Sequence, residues 1–142
     1  MKKLLICLIA LALALSLAGC SSGDYKKAAQ LFEEEKYEEA SRLYSSLGDY
    51  KDSAERLKAC RYRQGEQALA RGNYERAILL FQELGSYEDS EQMLLESRYR
   101  EAVYQYNMGQ FAEALQRFRG LGDYADAPEF VERCRAALES AG

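Results

Sequence analysis

The sequence predicts an all-α chain: a short α-solenoid of about three helix-turn-helix repeats closed by a C-terminal capping helix. Three observations carry that expectation. The chain matches itself when displaced by 37 residues. Apolar residues recur at steps of three and four inside each repeat, the spacing of one helix face. The phrase Leu-Gly-x-Tyr-x-Asp stands at the same point of each repeat, at Leu47 to Asp52, Leu84 to Asp89 and Leu121 to Asp126. A regular period of this length marks stacked supersecondary units rather than a single globular core.

The first twenty residues stand apart from the repeats. Met1, Lys2 and Lys3 make a basic start, Leu4 to Leu15 is almost wholly aliphatic, and Leu17-Ala18-Gly19-Cys20 follows. That order reads as a secretion signal. The apolar run Leu4 to Ala18 covers 15 residues, short of the roughly 20 a membrane-spanning helix needs, so removal is expected rather than permanent insertion. Leu17 to Cys20 resembles the bacterial lipobox. The resemblance implies cleavage before Cys20 and a thioether-linked diacylglycerol on that residue, with acyl chains such as palmitate. The expected organisation is a lipoprotein signal over residues 1–19, a short tether over 20–24 carrying the acylated Cys20, and a helical repeat domain over 25–142. Such a chain is exported and lipid-anchored to the bacterial cell membrane, facing outside the cytoplasm.

The 142 residues are 48% hydrophobic and 30% charged, with no Trp, no His and one Pro, a composition that suits a folded helical domain. Without Lys2 and Lys3 the mature chain carries 17 basic and 23 acidic residues, a net charge of −6. An acidic surface attracts neither nucleic acid nor anionic lipid head groups, so membrane affinity falls to the lipid on Cys20.

Each repeat offers two amphipathic helices. Tyr74, Ala77, Ile78, Phe81 and Leu84 follow helical steps, as do Leu57, Cys60, Gln64 or Gly65, and Ala68. Helices this short and one-sided need neighbours for a core. The long helix is expected from about Ser53 to Ala70, stopped by Gly72, with Asn73 and Tyr74 opening the next. Gly109 and Gln110-Phe111 repeat the pattern. Glu35 holds the glycine position in the first repeat, which predicts a looser or differently shaped turn there, because a non-glycine residue is disfavoured at positive φ. Asp126 to Leu138 supplies the capping helix, with Phe130, Val131, Cys134 and Leu138 expected inward.

The repeated phrase is expected to stop one helix and start another. Gly48, Gly85 and Gly122 suit a left-handed helix end. Asp52, Asp89 and Asp126 stand three residues before Glu55, Gln92 and Glu129, so each resembles the start of a capping box. Pro128 fits the first turn of its helix, where a missing N–H costs little.

Gly72-Asn73-Tyr74 to Phe81 and Gly109-Gln110-Phe111 to Phe118 resemble the glycine, aromatic, alanine and aromatic positions of the tetratricopeptide repeat, and the likeness spans roughly Tyr25 to Leu138. Gly65, with Ala28 and Ala102, falls on that family's small first-helix position. The period of 37 differs from the family's 34, the signature Trp is absent, and the turn phrase replaces its repeat-ending Pro. The resemblance implies a right-handed solenoid whose first helices line a groove for a protein or peptide. On that reading Tyr25, Tyr62 and Tyr99 stack along the groove, with Glu66, Leu69, Tyr106 and Asn107 beside them. The same tyrosines could instead pack between helices and set their spacing, as residues repeated in register in an array usually do. Protein or peptide binding, as a scaffold or assembly factor, is the expected function, and cell-wall glycan binding in the same groove is the alternative.

No enzyme is expected. The absence of His excludes Ser-His pairs and His-containing metal sites, and no glycine-rich phosphate loop occurs. The acidic turns lack the alternating ligands of a calcium loop. No cofactor and no metal are expected. Cys7 leaves with the signal and Cys20 is acylated, while Cys60 and Cys134, two repeats apart at positions shared with Ser97, are expected as small buried packing residues. Oligomeric state is not legible.

Overall fold

A computed structural model describes residues 21–140 of the chain. The expected signal over residues 1–19 and the acylation site Cys20 lie outside the described residues. The all-α expectation holds: seven helices and no strand occur among the described residues. They are α1 (residues 21–33), α2 (Tyr37–Leu47), α3 (Ser53–Ala70), α4 (Tyr74–Leu84), α5 (Ser90–Asn107), α6 (Phe111–Leu121) and α7 (Ala127–Ser140). The tether expected over residues 20–24 is already helical from residue 21, so Ser21 to Asp24 rise about 1.5 Å per residue instead of extending.

Packing divides the chain into one unit up to Arg63 and another from Gln64, a division that falls within α3. In the first unit Ala28, Leu31, Ala40, Tyr44 and Cys60 form the buried core, flanked by Tyr25, Phe32, Leu43, Leu47 and Leu57. In the second, α4 packs on α5, α5 on α6 and α6 on α7, around Ala102, Ala114, Phe118, Leu121, Ala127 and Cys134. The same arrangement recurs in both: a small residue on the long helix, a small residue on the short helix, and a fully buried aromatic four positions further on. Ala102, Ala114 and Phe118 are the second unit's set, all 0% exposed. Small residues allow the close approach that leaves the ring nowhere to go but inward. At Gly65 the approach is tighter still, since an added Cβ would lie 2.7 Å from Phe81 Cζ. In α7 Cys134 is buried and Phe130 and Val131 partly so, but Leu138 is 39% exposed, so the inward stripe ends a turn earlier than its spacing predicts.

The turns after α1, α3 and α5 are one motif. The N–H groups of Lys36, Asn73 and Gln110 reach back five residues to Leu31, Ala68 and Gln105 at 2.9 Å, and those of Glu35, Gly72 and Gly109 reach back three, which is the Schellman helix end. Glu35 stands at φ 59° beside 74° for Gly72 and 76° for Gly109. The differently shaped first turn expected from Glu35 is therefore not formed, because the pair of backbone bonds holds the residue in a conformation its side chain disfavours.

The repeated phrase is two successive reverse turns. Gly48, Gly85 and Gly122 have φ of 55–59° and ψ of −121 to −126°, and Tyr50, Tyr87 and Tyr124 donate N–H to Leu47, Leu84 and Leu121. That is the first central position of a type II′ turn, not the left-handed helical conformation. Ser53, Ser90 and Ala127 then donate N–H back to the three tyrosines' carbonyls, with Lys51, Glu88 and Ala125 at positive φ between them. The carbonyls of Asp52, Asp89 and Asp126 accept the first four-residue helical bond of the next helix, from the N–H groups of Arg56, Met93 and Phe130, so each Asp occupies the helix-start position expected of it. The capping box does not follow. Asp89 makes no side-chain capping bond, and the carboxylates of Asp52 and Asp126 are turned to tyrosine hydroxyls elsewhere. Among the caps described, Asn73 does bond its helix, accepting from Arg76 N at 3.3 Å.

Sequence spacing also gave no warning that the residue after each Asp is fully buried. Ser53, Ser90 and Ala127 are all 0% exposed. Ser53 Oγ donates to the Tyr50 carbonyl at 2.5 Å, but Ser90 Oγ has no hydrogen-bond partner. A buried orphan hydroxyl costs about 1–3 kcal/mol, and Ala127 shows that the site accepts a methyl group. Ser90→Ala should therefore raise the unfolding free energy by roughly 0.5–2 kcal/mol, read as a higher denaturant midpoint. A lower midpoint would show that the hydroxyl is satisfied.

Candidate binding surface

The tyrosines expected along a groove are tied into the fold. Tyr25 on α1 lies edge-on to Tyr44 of α2 at 5.7 Å and to Tyr50 of the following turn at 6.0 Å. Its hydroxyl donates to Asp52 Oδ1 at 2.5 Å, while Arg56 Nε donates to the other carboxylate oxygen at 3.1 Å. Tyr99 on α5 makes the same contacts two repeats later, edge-on to Phe118 at 6.1 Å and to Tyr124 at 5.9 Å, with its hydroxyl donating to Asp126 Oδ1. Each pair bridges 27 residues, fastening a helix, α1 or α5, to a later turn that opens another one.

The electrostatics follow from those bonds. The Tyr25 hydroxyl holds Asp52 below the usual carboxylate range, helped by Arg56, and Asp52 in turn raises Tyr25. Burial, followed by the bond to Asp126, pushes Tyr99 up to about 12.

Of the other residues expected in the groove, Tyr62 and Leu69 are buried, Glu66 is half-buried, and Asn107 is exposed. Tyr106 packs edge-on against Phe111 at 5.3 Å and Phe130 at 5.1 Å. Tyr25, Tyr99 and Tyr106 thus pack on the short helices, the turns and α7 of their own units.

The second unit opens a surface cleft elsewhere. It has a volume of ≈ 740 Å³ and is lined by Glu75, Ile78 and Leu79 of α4, Arg98 and Glu101 of α5, and Glu113, Gln116, Arg117, Gly120 and Leu121 of α6. None of the seven expected groove residues lines it. Leu79 is 62% exposed, an apolar side chain standing at the cleft with Ile78 and Leu121. Glu101, by contrast, is 9% exposed, and Arg117 reaches it at 3.3 Å while donating through Nε to Gln105 at 2.8 Å. A buried carboxylate is tolerable only when paired and hydrogen-bonded, so Arg117 is held in place by what it neutralises. Sequence reasoning passed over these residues, although one signal was present: Glu101 follows Ser97 by one helical turn on the inward face of α5, where a charge is out of pattern.

The remaining chemistry is sparse. Cys60 and Cys134 are free and buried, as expected; burial pushes the Cys60 thiol up to about 11 and raises Cys134, which leaves both poor nucleophiles. Ser97, their counterpart, is also buried and donates to the Met93 carbonyl at 2.7 Å. Among the described residues no group of three or more Cys, Asp or Glu is placed to hold a metal ion, and no helix is long and apolar enough to cross a membrane.

Comparison with protein-family models, curated proteins and solved structures finds no match to the chain.

Proposed function

We propose that the chain is a lipid-anchored docking protein of the bacterial cell envelope, binding a protein or peptide segment as a scaffold or assembly factor. Leu17 to Cys20 supports the anchor, and the 37-residue helical period supports a stacked, tetratricopeptide-like array. The observation that carries the docking half is the cleft between α4, α5 and α6. Ile78, Leu79 and Leu121 offer an apolar seat, while Glu75, Glu113 and Arg98 give polar edges, the combination by which interfaces pair a buried anchor with a solvated rim.

A sugar would call for open aromatic faces. None of the cleft's residues is aromatic, so a peptide is favoured over a cell-wall glycan at the cleft. Catalysis, a cofactor and nucleic acid have no part in this reading.

The test is affinity capture on the full-length chain from membranes, with and without Leu79→Asp. A partner protein held by the unaltered chain should be lost at least about tenfold on Leu79→Asp, the factor for 1.4 kcal/mol at an interface anchor. Equal recovery by both would refute docking at the cleft. Cys20→Ala should abolish incorporation of labelled fatty acid, and continued labelling would remove the anchor.

A further inference from the structure

The first and third repeats contain the same aromatic corner with different fillings. In the first, the Tyr25 and Tyr50 rings meet at 6.0 Å and 66°, and the Lys51 ammonium lies 4.6 Å from one centroid and 5.4 Å from the other. Both distances are those of cation–π contacts, and Asp52 stands on the Tyr25 hydroxyl beside them. In the third repeat the Tyr99 and Tyr124 rings meet at 5.9 Å and 62°, and Asp126 stands on the Tyr99 hydroxyl. The backbone also matches, with φ 53° at Lys51 and 50° at Ala125. What changes is charge. Ala125 replaces Lys51 and Phe130 replaces Arg56 in the register of the repeat. A second carboxylate is added, because the Tyr124 hydroxyl donates to Glu96 Oε2 at 3.0 Å and accepts from Gln92 Nε2 at 3.2 Å; Arg100 holds the other oxygen of Glu96 at 2.6 Å.

We propose that the Tyr99–Tyr124 corner, with Glu96 and Asp126, binds the ammonium of a lysine side chain presented by a protein partner. The first repeat shows the chemistry satisfied within the chain, since the two equivalent rings receive Lys51 there while Asp52 takes Arg56. In the third repeat the rings remain and Asp126 has no cation beside it from Ala125 or Phe130, the latter packing on Tyr99 at 6.5 Å, while Arg100 engages Glu96 through its other oxygen. The net charge of −6 on the mature chain favours a basic partner through long-range attraction. The inference deepens the docking function by naming a side chain the partner must carry, and it rests on that reading for its choice of a protein source.

The experiment is an NMR titration of the full chain in detergent micelles, labelled with ring-13C tyrosine, by the capped tripeptide Ala-Lys-Ala. Tyr99 and Tyr124 resonances, assigned with Tyr99→Phe and Tyr124→Phe, should shift saturably. The same peptide with norleucine for lysine should bind at least about tenfold more weakly, because it lacks the cation. Ala125→Lys should remove the response by placing an ammonium where Lys51 has one, with the unfolding midpoint recording that the variant is folded. Equal shifts with norleucine, or an undiminished response in folded Ala125→Lys, would overturn the site. Tighter binding of phosphoethanolamine than of the lysine peptide would overturn the protein source in favour of a lipid head group. Lysine binding that persists when Leu79→Asp has no effect on capture upholds this site while the cleft fails, and the reverse result removes this site alone.

Discussion

Phe118→Ala lowers the unfolding free energy by about 3–5 kcal/mol, the range for deleting a fully buried aromatic ring. Phe118 is 0% exposed, lies flat on Phe130 at 4.6 Å and 8°, and meets Tyr99 edge-on at 6.1 Å. Removing it opens a cavity bounded by α5, α6 and α7. The small residues around it, Ala102 and Ala114, have no side-chain length with which to close the space. Tyr99 loses a wall as well, so its bond to Asp126 should loosen together with the core. For a chain of this size the thermal midpoint should fall by roughly 10–20 °C. A shift under about 3 °C would mean that the core re-forms without the ring.

Gly85→Ala lowers stability by about 1–3 kcal/mol, through backbone strain rather than collision. A Cβ at Gly85 meets nothing within 4 Å, so sterics beyond the residue itself contribute nothing. The cost comes from φ 56° and ψ −121°, a conformation that the II′ turn demands and that a Cβ opposes. Gly65 presents the opposite case: its φ lies outside the left-handed range, and the obstacle is the Phe81 ring. The two glycines separate the reasons a chain keeps the residue. Denaturant unfolding with an unchanged slope m would assign the Gly85→Ala loss to native-state strain. An unaltered midpoint would show that the turn can be formed another way.

Most of the local structure is legible in the residues. Ser53 to Ala70, Asn73-Tyr74 and Gln110-Phe111 mark helix boundaries where α3, α4 and α6 begin or end. Cys60, Cys134 and Ser97 are buried as their shared position implies. Glu35 misleads because propensity is a weak preference, which two backbone hydrogen bonds override. Asp52 misleads for a different reason. A carboxylate three residues before a Glu can serve its own helix end, or it can accept from a partner that local sequence does not reveal.

The sequence alone determined the all-α class, the positions of the turns and the small and aromatic sites of the core. Each of these depends on interactions within a few positions along the chain: helical spacing, Schellman ends, and glycine at φ that other residues resist. Tertiary structure alone decided that Tyr25 and Tyr99 bond to Asp52 and Asp126 across 27 residues. It also decided that Arg117 covers Glu101 and that Leu79 stands out at a cleft. Those outcomes depend on distances between elements, which packing sets and which no residue's immediate neighbours encode.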